Sequence, residues 1–99
     1  MVLTLFISSH EERDFRSKVE LLLMILLICD EEGEDLEFNE VLSLAENLIF
    51  SRELKDLIKE LRRYGDLPPR VALAKLMLTP SWRRALEKAS LLFLKEILD

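Results

Sequence analysis

The sequence predicts an all-α fold, a compact bundle of about five helices, and two observations carry that reading. Apolar residues recur at helical spacing through most of the chain, as they do on one face of an α-helix. Glycine and proline are scarce, and Gly33, Gly65, Pro68, Pro69 and Pro80 fall where that periodicity stops. At 99 residues, the chain is the size of one domain, residues 1–99, with no room for a second. No internal repeat, low-complexity tract or linker interrupts it.

Residues 2–7 are open to several readings. Their β-branched and aromatic content permits a short strand, yet a lone strand beside helices leaves backbone groups unpaired. A helical extension, a packed arm, or a strand paired with a symmetry mate are the alternatives. Ser8 and Ser9 precede Glu11 and Glu12 at the capping-box spacing, which predicts a first long helix from near His10 to about Asp30. Phe15, Val19, Leu22, Leu23 and Leu26 form its apolar side, with Glu12/Arg16 and Asp14/Lys18 ordered as favourable pairs outside. Residues 21–29 are apolar all round and so must be enclosed on every side.

The acidic stretch 30–37, broken by Gly33, reads as the following loop. A second helix then starts near Phe38 or Asn39, with Val41, Leu42, Ala45, Leu48 and Ile49 inward. The next apolar set, Leu54, Leu57, Ile58 and Leu61, is helical in spacing but points to nearly the opposite side at about 100° per residue. The chain is therefore expected to bend at 50–52, with Ser51 capping a new helix and Glu53 in its first turn. Gly65, after Tyr64, is expected to end that helix as a C-terminal cap. Pro69 suits the first turn of a short, largely buried helix over 69–78, and Thr79 is expected to cap the last helix, with Pro80 at its first position. Trp82, Ala85, Leu86, Ala89, Phe93 and Ile97 form that helix's stripe, and residues 91–94 are apolar on most sides.

Leu, Ile, Val, Met, Phe and Trp together number 42, of which 23 are Leu. A chain of this size hides only about 60–70% of its surface on folding, so some of this apolar surface is expected to meet a partner. The simplest partner is a second copy in a two-fold homodimer. Leu91, Phe93, Leu94, Ile97 and Leu98 are the candidate interface. The longest apolar run is nine residues, 21–29, far short of the ~20 that span a bilayer, and residues 1–7 lack a secretory signal's basic start. No membrane association is expected. The single cysteine, Cys29, reads as a small buried hydrophobe, and an intracellular, cytoplasmic location is the default expectation. Glutamine is absent while Glu, Lys and Arg are plentiful, a pattern of heat-adapted, thermostable proteins.

Chemistry is sparse. His10 stands among Ser8, Ser9, Glu11 and Glu12, but neighbours on one helical turn diverge, and a triad needs convergence on an oxyanion site. Cys29 has no basic neighbour in sequence to activate it. The protein is read as a non-enzyme without a cofactor. The acids of 30–37 lack the ligand alternation and sixth-position glycine of an EF-hand, and one His with one Cys leaves no zinc set, so no metal is expected.

Charge is the remaining signal. Residues 1–50 carry three basic and twelve acidic side chains, and residues 51–99 carry eleven and seven, which gives −9 and +4. Arg52, Lys55, Lys59, Arg62 and Arg63 fall within about 100° of arc on one helix, and Arg83 and Arg84 open the last. These seven form a candidate anion- or nucleic-acid-binding surface, with Trp82 and Tyr64 nearby in sequence for stacking. Against it stand a net charge of −5 and the ion pairing such ridges make with neighbouring acids. A helix-turn-helix is disfavoured because residues 71–78 are too apolar to lie in a groove. The expected function is a self-associating protein-interaction module, an adaptor, accessory subunit or regulator with one acidic and one basic face. The alternative is an accessory protein that grips nucleic-acid backbone through the seven cations.

Overall fold

The computed structural model describes residues 2–32 and 35–98, with side chains described from residue 12 onward. Among the described residues the chain forms α1 (Val2–Glu32), α2 (Phe38–Asn47), α3 (Arg52–Leu61), a 3₁₀ turn (Arg62–Tyr64), α4 (Pro69–Met77) and α5 (Pro80–Leu98), with no strand. The all-α bundle holds.

At the start, the structure selects one of the readings open to residues 2–7. They are neither a strand nor a separate arm but a helical extension, the first turns of α1, which begins at Val2 and not near His10. Ser8 and Ser9 therefore lie inside the helix rather than at its cap, and the side chains of residues 8–11, His10 included, lie outside those described. At 31 residues α1 is about 46 Å long and sets the 48 Å long dimension of the molecule. It also runs on through Asp30, Glu31 and Glu32, so part of the acidic stretch is helical; Gly33 and Glu34 lie outside the described residues.

The core is built on Leu21, Leu22 and Ile25 of α1, which are fully buried among Phe38, Val41, Leu42 and Ala45 of α2, Ile58 and Leu61 of α3, Ala72 and Leu76 of α4, and Trp82, Ala85, Leu86 and Ala89 of α5. α1 packs most extensively on α5. Lys18 reaches Ser81 at one level, and Leu26 and Cys29 share a groove wall with Phe93 at another, so these two helices run alongside in the same direction.

The connections follow from local chemistry. The α2 amides that have no intrahelical acceptor are met by the segment after α3: Phe38 N donates to Leu67 O at 2.9 Å and Asn39 N to Gly65 O at 3.0 Å. The bend comes where the two apolar stripes change phase, and Ser51 Oγ accepts from Leu54 N at 3.4 Å as the cap of α3. Leu48, expected inward, points out instead, because α2 ends at Asn47 and Ile49 takes the buried place.

Three further expectations change in part. Gly65 is the expected C-cap after Tyr64, its amide donating to Arg62 O at 2.9 Å, but its φ of −61° is right-handed, so glycine is required there for space: a Cβ would stand 2.9 Å from Asn39 Cγ and 3.0 Å from Arg62 O. The Thr79 hydroxyl donates back to Lys75 O at 3.0 Å and closes α4, while its carbonyl receives the Trp82 and Arg83 amides of α5. α4 is amphipathic rather than largely buried, with Pro69, Ala72 and Leu76 inside and Val71 and Met77 exposed.

Candidate functional site: two unpartnered surfaces

Trp82 anchors the arrangement. It is 1% exposed, its Nε1 donates to Glu60 Oε1 of α3 at 3.1 Å, and Lys18 Nζ of α1 stands 5.1 Å from the ring centroid. Lys18 is itself buried, paired with Asp14 Oδ2 at 3.0 Å and donating to Ser81 O at 3.0 Å. An indole held this way joins three helices and offers no face to a base.

The seven cations proposed as one surface separate into two groups. Arg62 opens the 3₁₀ turn after α3, and its side chain reaches across to α2. There it donates to Asn39 Oδ1 and, at 3.5 Å, to Ser43 Oγ, and pairs with Glu46 Oε1 at 3.5 Å. The Arg63 guanidinium lies 5.5 Å from the centroid of the Tyr64 ring, and Arg83 pairs with Glu87 at 3.7 Å one turn along α5. Arg84 is exposed at the start of α5.

Arg52, Lys55 and Lys59 are exposed along α3 and form no ion pair among the described residues. The acids of α3 lie on the adjoining flank, toward α1 and α5. Glu53 accepts from Ser17 Oγ of α1 at 3.2 Å, Glu60 holds Trp82, and Asp56 lines a small cleft with Arg13, Asp14 and Ser17. Just before this cationic face stands Phe50, 94% exposed, at the bend between α2 and α3. Sequence periodicity gives it no place, because it belongs to neither apolar stripe, while its neighbour Ile49 is buried.

The second surface is apolar and lies on the last two turns of α5. Leu91, Leu94, Ile97 and Leu98 are 65%, 52%, 53% and 83% exposed. By helical geometry Leu91, Leu94 and Leu98, spaced i, i+3 and i+7, share a face opposite the buried stripe of Trp82, Ala85, Leu86 and Ala89. Phe93, the fifth residue of the candidate interface, is half-buried and lines a groove of about 730 Å³ with Leu26, Cys29, Pro69, Val71 and Leu73. Desolvation by burial pushes the Cys29 thiol above its usual pKa, which leaves it a poor nucleophile at neutral pH.

Among the described residues no three side chains of His, Cys, Asp or Glu are grouped to hold a metal ion, and no helix is long and apolar enough to cross a membrane. What the geometry offers is contact surface. No protein-family model, curated protein or solved structure matches this chain.

Proposed function

We propose that this protein is a small, non-enzymatic interaction module of the cytoplasm, an adaptor, accessory subunit or regulator, that self-associates as a homodimer through the last two turns of α5. The exposed leucine face of Leu91, Leu94 and Leu98 carries this reading. Ile97 borders it, while Phe93 lies on the other side of α5 toward α1, so that a symmetric pairing of α5 with its mate would bury a self-complementary apolar patch of Leu91, Leu94, Ile97 and Leu98.

Apolar contact supplies the affinity, and the acidic 30–37 region and cationic α3 orient the encounter. The composition, without glutamine and rich in Glu, Lys and Arg, supports a heat-adapted protein.

Light scattering over a concentration series tests the proposal. Twice the 11.6 kDa chain mass is expected for the native protein, and Leu94→Asp with Leu98→Asp should return it to a single chain without loss of helicity. A native protein that stays monomeric at every concentration would refute it.

A further inference from the structure

We infer that the α2–α3 corner is a binding site for single-stranded nucleic acid, in which Phe50 stacks on a base while Arg52, Lys55 and Lys59 neutralise the adjoining phosphates. The inference is independent of self-association through α5 and uses a different face of the molecule.

Two observations meet at this corner. The first is the segregation of charge on α3. Its acids are committed to α1, to α5 and to the cleft beside α1, and Arg62 is committed to α2, while Arg52, Lys55 and Lys59 are exposed and unpaired among the described residues. At 1.5 Å per residue these three cations extend over about 10 Å of helix, a row fit for a short run of phosphodiester backbone.

The second observation is Phe50. It has the highest exposure of the large apolar side chains described, and it sits two residues ahead of Arg52. An exposed aromatic ring at the head of a helix that carries a row of cations supplies the two elements by which single strands are held without regard to sequence, stacking and phosphate contact.

A duplex fits less well, because its bases are already stacked and leave Phe50 no free face. Three cations on a ten-residue helix also offer no reading of a groove. The net charge of −5 does not forbid a local anion site. Asp30 lies roughly 20 Å along α1 from Ser17, which touches α3 through Glu53, and screening at physiological salt acts over about 8 Å.

The test is fluorescence anisotropy of the full chain with end-labelled oligo-dT of about 12 nucleotides, repeated across a salt series. Binding should weaken with a log–log slope of about −2, as for three phosphates on a single strand. Phe50→Ala should bind at least about ten-fold more weakly, and Phe50→Trp should restore binding. Lys55→Glu with Lys59→Glu should abolish it, and Leu94→Asp should leave it unchanged. Circular dichroism should show all variants folded.

Three results would overturn the inference. One is no binding of oligo-dT at low salt, and another is equal affinity of Phe50→Ala and the native chain. The third is displacement of oligo-dT by polyglutamate of matched charge, which would assign the corner to an acidic protein segment instead.

Discussion

Lys18 lies over the ring of Trp82, its ammonium 5.1 Å from the centroid, and the two side chains together tie α1 to α5 and, through Glu60, to α3. A cation on a buried indole with two further oxygen partners is worth more than an exposed pair. Trp82→Phe should therefore destabilise the protein by about 2–3 kcal/mol, through the lost hydrogen bond and the void left by the smaller ring. Lys18→Met, which keeps the apolar stem, should cost about 1–2 kcal/mol. Asp14→Asn, at the exposed end of the pair, should cost under about 1 kcal/mol. Urea denaturation of the three variants gives this order directly.

Gly65 and Asn39 are coupled by space. Gly65→Ala should destabilise by about 1–3 kcal/mol, because the new methyl forces Asn39 away from its place as acceptor for Arg62. In an Asn39→Ala background the same change should cost less, the remaining loss coming from Arg62 O at 3.0 Å from the new methyl. A double-mutant cycle measures the difference, and additive losses would show that the contact is not the cause.

The two hydroxyls beside the short helices differ in what they satisfy. Ser51 caps the start of α3, so Ser51→Ala should cost about 1 kcal/mol and Ser51→Asp should not. The Thr79 hydroxyl donates to a carbonyl of α4. Thr79→Val leaves that carbonyl, Lys75 O, with the Leu78 amide at 3.1 Å, and the loss should fall near 0.5 kcal/mol. Thermal melts followed by circular dichroism resolve the two.

Cys29 makes the fold sensitive to alkali. Its thiol pKa is raised in the folded state by desolvation, so between the unfolded and folded values the unfolded chain binds fewer protons. Stability then falls as pH rises through that window and is flat below it. The native thiol should alkylate slowly with iodoacetamide at neutral pH, and Cys29→Ala should remove this part of the alkaline loss. Equal alkaline slopes for the two proteins would show that Cys29 is not its source.

Much of the fold was legible because it rests on local signals. The phase change between the stripes of α2 and α3 required a bend, Ser51 supplied the cap, and Pro69 and Pro80 marked the starts of α4 and α5. Where the reading missed, an apparently local signal was answered by a distant partner or by simple continuation. Ser8 and Ser9 resemble a cap, yet nothing before them stops the helix. Gly65 is the C-cap its position suggests, but it must be glycine because of Asn39, 26 positions earlier in the sequence, and Arg62 O, which a Cβ would crowd. Helical geometry groups the cations of the ridge by direction alone, and cannot show that Arg62 finds Asn39, Ser43 and Glu46 on α2. Phe50 belonged to neither stripe, so periodicity gave it no weight.

The side-by-side course of α1 and α5 also bears on how the chain is made. Lys18 and Ser81, which touch, are 63 positions apart, and at about 5–20 residues per second a ribosome needs several seconds to deliver the second after the first. Through that interval the oily flank of α1 has no permanent cover. The newborn chain thus depends on provisional shelter from α2 and α3, or on a chaperone, until its final helix arrives.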